Sequence, residues 1–247
     1  MRAEQKTDMG FINGCAMTFK AAESLAEQIA RHVGRQIVTG DLVEGERIQE
    51  LRIAKELNVS RGSVREALLI LERRHLINIY PRRGAVVAEM SAQQIKSLFE
   101  VITLLLTLIA RRAADNWRQS DVESFTSLVE HMQALAREGD IEGFYEGSFS
   151  FFRMAYRFAM NPYIEEMLED LQPALQRSYY LALHTNKREL QEAHGFFKGI
   201  LEAILMRKGE QAALLVDDFC RHLRNLVLDS LARMKQIELA WAQRSRR

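Results

Sequence analysis

Apolar residues recur at intervals of three and four along nearly the whole of this chain, and only three prolines and 13 glycines interrupt its 247 residues. A polymer patterned in this way buries one stripe of every helix it forms, so the period alone makes the fold mainly α. One region breaks the pattern. Residues 76–80 and 85–88 read as strands around Pro81-Arg82-Arg83-Gly84, a turn sequence, and so predict a β-hairpin. From Ser91 onward every segment reads as helix: 91–114, about 121–137, 141–159, 162–184, 187–207, and 210 into the tail. The chain therefore divides into a flexible N-terminal segment (1–19), a small unit with a hairpin (20–90), an all-helical unit (91–235) and a basic tail (236–247).

Composition narrows the function classes. Hydrophobic residues at 47% and charged residues at 27% are ordinary for a globular protein with a sizeable core. The formal net charge of +1 excludes a uniformly basic coat but leaves room for a local patch. Cys15 and Cys220 are too few for a disulfide framework and lack metal-type spacing, which predicts a reducing, cytoplasmic setting. The first twenty residues carry Glu4, Asp8 and Lys20 and do not read as a secretory signal. The most apolar run, Val101 to Ala110, spans ten residues, about half of what a bilayer needs, so no membrane partner is expected. No Gly-rich phosphate loop, nucleophile elbow, metal-binding pair of His on one helix or pair of carboxylates at a plausible cleft position is seen, so an enzyme is not expected.

Within the N-terminal unit, Leu25, Ile29, Val33, Ile37 and Val38 form one helical stripe that ends at Gly40. Leu51, Ile53, Ala54 and Leu57 mark a short second helix, broken at Asn58. A third follows Ser60, an N-cap residue, with Val64, Ala67, Leu68 and Leu71 at i, i+3, i+4 and i+7 as its buried stripe. Arg61 and Arg65 stand one turn apart beside that stripe, and Gly62 and Ser63 leave the helix end uncluttered. Guanidinium forks so placed suit phosphates and guanine edges. Residues 52–83 hold eight Lys or Arg against three Glu, an excess of five that the near-neutral total conceals. Two helices joined by a tight turn, followed by an arginine-tipped hairpin, predict a winged helix-turn-helix that binds double-stranded DNA.

The stretch IVTGDLVEGERIQELRIAKELNVSRGSVREALLILERRHLINIYPRRGAVV resembles the DNA-binding domain of GntR-type bacterial transcription regulators. The V-S-R-x-x-V-R-E-A-L core and the R-G wing turn carry the match. The resemblance implies operator contacts by Arg61 and Arg65, minor-groove entry by the wing at Arg82, Arg83 and Gly84, and a phosphate contact by Arg52; Ser60, Gly62 and Ser63 complete the implied DNA-binding set. Departures are Glu44 where the family has Pro, His75 where a Gly suits the helix end, and Gly62-Ser63 in place of Thr-Pro.

The helix-only unit, with its FRMAYRFAMNPYIEEML segment, resembles the effector domain of the FadR branch of that family, a helical bundle that dimerises and holds a small ligand. Many members of the branch bind a metal through an Asp, a His four residues later and two further His. That pattern falls here on Ser148, Phe152, a position near Phe197, and His222, of which only His222 can ligate, so no metal and no cofactor is expected. A cavity at this place would be lined by Ile102, Leu106, Ser148, Phe149, Phe152, Tyr156 and Phe197, with His222 at its edge. Three readings stay open for it: a closed core, a pocket for an apolar effector, and a metal site rebuilt from other ligands for a response to organic acids. The first effector helix is apolar nearly all round, which calls for burial by a bundle core plus a homodimer interface. Together these features predict a homodimeric operator-binding transcription regulator; a helical protein-interaction module is the rival reading.

Overall fold

The computed structural model describes residues 23–185 and 189–244, with side chains to 183 and from 189 to 237. The expected flexible segment 1–19 and Cys15 lie outside the described residues. The fold is a winged helix-turn-helix followed by an all-helical bundle, as the periodicity predicts.

In the N-terminal domain, α1 (Leu25–Thr39), α2 (Glu50–Glu56) and α3 (Arg61–Arg73) precede the hairpin β1 (Ile77–Tyr80) and β2 (Gly84–Val87). Ser24 starts α1, its Oγ accepting a hydrogen bond from the Glu27 N–H at 3.1 Å, and Gly40 ends it at φ 86°. The two strands pair antiparallel, Ile77 opposite Val87 and Tyr80 opposite Gly84. Ile29, Val33 and Ile37 of α1 meet Val64, Leu68 and Leu71 of α3 and Ile77 and Val87 of the hairpin in a single apolar core. His75 takes φ 58°, the left-handed conformation that a helix-ending Gly would adopt without strain.

The second domain comprises α4 (Ala92–Asn116), α5 (Gln119–Glu138), α6 (Ile141–Tyr156), a 3₁₀ turn (Arg157–Ala159), α7 (Pro162–Thr185), α8 (Glu189–Leu205) and α9 (Gly209–Arg244). A capping box opens α4: Ser91 Oγ accepts from the Gln94 N–H while the Gln94 side chain accepts from the Ser91 N–H. Helix α4 lies along α9 and touches α6, α7 and α8. Its positions Ile95, Phe99, Ile102, Leu106 and Ile109 are buried in the bundle core. Helix α9 runs beyond residue 235 as far as Arg244, so the basic tail begins as the end of a helix. No helix of the described residues is long and apolar enough to cross a membrane.

The two domains are joined by side chains as well as by the linker. Arg177 of α7 donates to the Ala88 carbonyl at 2.6 Å, and Arg73 in the last turn of α3 pairs with Asp170 of α7 at 3.0 Å. Glu44, the departure from a rigid proline, accepts from the linker Met90 N–H at 2.6 Å.

Candidate nucleic-acid interface and effector region

Helix α3 presents its first turns to solvent because its N-terminus is satisfied from within. Ser60 Oγ accepts from the Ser63 N–H at 3.0 Å and lies 2.9 Å from Ser63 Oγ, so these two hydroxyls cap each other and the helix end. Val64, Ala67, Leu68 and Leu71 are buried against α1, which fixes the rotation of the helix and turns Arg61, Gly62 and Arg65 outward. Arg65 Nε lies 2.9 Å from a Glu50 carboxylate oxygen of α2, and Arg52 pairs with Glu56 one turn on at 3.2 Å. Both guanidinium groups are more than half exposed, so these pairs orient the side chains at small cost to a competing phosphate.

The wing brings a second set of cations. Arg82, at φ 65°, and exposed Arg83 form the turn, and Gly84 follows at φ 79°. A side chain at Gly84 would be strained by that φ, and its Cβ would sit 3.8 Å from the Arg47 guanidinium. Arg47, bridged by its backbone to Val86, thus stands beside the wing, a position that local sequence pattern did not single out. What could have found it is its place in the short extended segment between the Gly45 turn and the second helix, which begins three residues on at Glu50.

In the second domain, Ile102, Leu106, Ser148, Phe149, Phe152, Tyr156 and Phe197 are all buried. Rings interlock there: Phe149 and Phe152 centroids are 5.9 Å apart, Phe152 and Phe197 5.6 Å, and Phe197 and Phe219 5.1 Å. The Ser148 hydroxyl turns back on its own helix, donating to the Phe144 carbonyl at 2.9 Å. Burial pushes the Tyr156 phenol well above its ordinary range.

His222 sits at the edge of this cluster, and its partner came from elsewhere in the chain. Its Nε2 lies 3.0 and 2.9 Å from the two carboxylate oxygens of Glu189, and 3.9 Å from a Glu192 oxygen. Glu189 is fully buried, and desolvation raises its pKa against the lowering effect of His222. One donor atom from each of Glu189, Glu192 and His222 lies within 4.8 Å of the others, the only such group of three among the described residues. Two carboxylates and an imidazole could hold a divalent cation. As folded, however, Nε2 faces both oxygens of one carboxylate, the geometry of an Nε2–H donating to Glu189 rather than of a lone pair directed at an ion. Sequence spacing did not reveal Glu189, which stands 33 positions before His222 on a different helix.

A groove of about 760 Å³ lies at the junction of the two domains, bordered by α3, the linker, α4 and α7. Arg177 lines it and is 8% exposed, and burial lowers the pKa of its guanidinium.

Comparison with known proteins agrees with this architecture. Residues 25–87 match the family described as bacterial regulatory proteins, gntR family, and residues 97–225 match the FCD domain. The gluconate operon transcriptional repressor of Bacillus subtilis is 27% identical over 68% of this chain and 69% of its own length. The galactonate operon transcriptional repressor of Escherichia coli is 25% identical over 85% of this chain and 97% of its own. Among solved structures, E. coli McbR/YncC superposes with a TM-score of 0.74 at 23% identity, covering 84% of this chain and 99% of that one, a likeness of fold. A DNA-binding winged helix-turn-helix joined to an FCD helical bundle identifies the chain as a transcription regulator of the GntR family, in its FadR-like, FCD-bearing branch.

Proposed function

We propose that this regulator binds a pseudo-palindromic operator as a homodimer, reading each half-site with the N-terminal turns of α3 and steadying it with the wing. The observation that carries the reading is the outward placement of Arg61 and Arg65 on a helix whose opposite face is locked into the core. Arg61, Arg65, Gly62 and Ser63 would face base edges and phosphates. Ser60 would hold the helix end, Arg52 would take a phosphate, and Arg82, Arg83 and Gly84 would enter the minor groove. The repressor names of the gluconate and galactonate relatives favour repression here.

Dimerisation is supported by α4, whose outer face leaves Val101 37% and Leu104 66% exposed beside half-buried Leu108. Apolar side chains aligned on one helix face need a cover that the single chain lacks. A two-fold partner would set the recognition helices about one DNA turn apart.

For Ile102, Leu106, Ser148, Phe149, Phe152, Tyr156 and Phe197, the interlocked rings favour the closed-core reading, with effector sensing displaced to other parts of the domain. A second reading, a rebuilt metal site, is favoured by Glu189, Glu192 and His222 alone, and a stoichiometric divalent ion in purified protein would support it.

The decisive experiment is fluorescence anisotropy on duplexes from the DNA upstream of the gene, against random duplex at physiological salt. Wild-type protein is expected to prefer one palindromic site, while Arg61→Ala/Arg65→Ala protein keeps its dimer mass and loses that preference. Equal affinity for random duplex would refute operator binding.

A further inference from the structure

We infer that the groove between the two domains is a binding site for a small amphipathic carboxylate, held at its charged end by Arg177. The inference deepens the proposed function by giving the effector a place and a class, and its regulatory consequence rests on that operator-binding reading.

Three observations converge. The groove is about 760 Å³, within the range of small-molecule sites, and its walls are mostly apolar, with Ile95 and Leu98 on α4 facing Met167 and Leu171 on α7. Arg177 is buried to all but 8% of its surface, yet its guanidinium makes a single hydrogen bond among the described residues, a donation to the Ala88 carbonyl. No carboxylate among the described residues lies within 4.0 Å of it. A guanidinium has five N–H donors in a planar fork, so most of this group's donors remain available at the wall of an apolar groove. The neighbouring cation is already neutralised: Arg73 is paired with Asp170 at 3.0 Å. Glu89 on the linker also lines the groove, and the Glu44 carboxylate acts on Arg177 from beyond 4.0 Å. Arg177 is still the lining guanidinium without a directly paired carboxylate, which leaves one anion-binding position at one end of an apolar trough, the pattern of a carboxylate carrying a hydrocarbon or aromatic body.

The location makes such a ligand consequential. Arg73 ends the recognition helix and His75 follows it in the turn, Glu89 and Met90 belong to the linker, and the rest of the lining to the bundle. A bound molecule would touch all three, and so would bias the angle between them by its differential affinity for two arrangements.

The test uses the full-length dimer, the fluorescent apolar anion 8-anilinonaphthalene-1-sulfonate, and decanoate or decan-1-ol as competitor. About one probe per protomer is expected to bind, and decanoate should displace it at about tenfold lower concentration than the alcohol. Arg177→Gln should weaken decanoate about tenfold and leave decan-1-ol unchanged, and Ser97→Trp, an exposed groove-lining position, should abolish both. Circular dichroism and native mass confirm that each variant is folded. Failure of the dimer to bind probe or decanoate overturns the site, as does equal displacement by acid and alcohol or unchanged binding in Ser97→Trp. So does probe binding seen only in a monomeric Leu104→Glu variant, which would show that a second copy covers the groove. None of these arms contains DNA, so their failure leaves operator binding untouched, and loss of operator binding leaves them readable.

Discussion

His222 Nε2 stands 2.9 and 3.0 Å from the two carboxylate oxygens of fully buried Glu189, so a charge that burial disfavours is held in place by a single imidazole. Two consequences can be measured. Because burial raises the folded-state pKa of Glu189 above its unfolded value, its contribution to stability is fully present below the unfolded pKa and is lost as pH rises through the folded one. Thermal melts of Glu189→Gln should therefore gain on wild type between pH 4 and pH 7. His222→Ala strands the carboxylate and should cost about 3 kcal/mol at pH 7, shrinking toward pH 4 as Glu189 takes up a proton. A His222→Ala penalty independent of pH would show that the imidazole acts by packing alone.

Arg65 and Glu50 form an exposed pair that DNA must displace. Glu50→Gln frees the guanidinium and removes a negative charge from the interface. Operator affinity should rise by a few-fold at low salt, with little change in melting temperature, since exposed pairs contribute about 0 to 1 kcal/mol. Anisotropy titrations at several salt concentrations decide it, and a lowered affinity would mean that Glu50 is needed to aim Arg65.

Leu104 is two-thirds exposed on α4 in the single chain. Leu104→Glu places a charge on the face assigned to dimerisation, while α4's buried side stays untouched. Light scattering after size exclusion should give monomer mass with unchanged helicity. A dimer that persists would move the interface to another face.

Arg207 closes the C-terminal end of α4 from the loop after α8. Its Nη1 donates to the Ala114 and Asp115 carbonyls at 3.0 and 2.8 Å, and its guanidinium carbon lies 4.7 Å from the Trp117 ring centroid. A lysine keeps the charge but cannot bridge two carbonyls and stack at once. Arg207→Lys should destabilise the protein by about 1 to 2 kcal/mol in urea, and Arg207→Ala by more.

Cys220 is buried, and desolvation pushes its thiol up to about 12. At pH 8 almost none of it is thiolate. Peptide mapping after iodoacetamide should find Cys220 unmodified in native protein and alkylated in denaturant. Labelling in the native state would mean that α9 opens locally from α4.

Much of this molecule was legible in its sequence. The helix period, the Ser60 cap, the Gly40 stop and the arginine-tipped turn are local signals, written within a few residues of the structure they cause, and each element stands close to where they place it. Arg61 and Arg65 were legible for the same reason, since a helix fixes which side of itself every residue occupies once its buried stripe is known. What the tertiary structure alone decided are relationships between residues far apart in the chain. Glu189 meeting His222, Arg47 standing beside Gly84, and Arg177 reaching Ala88 depend on how helices cross, and no spacing encodes a crossing. The location of open volume belongs to the same class. Phe149, Phe152 and Phe197 are apolar at helical spacing whether they line a cavity or fill it, and only the packing of α6 against α8 and α9 determines that their rings touch.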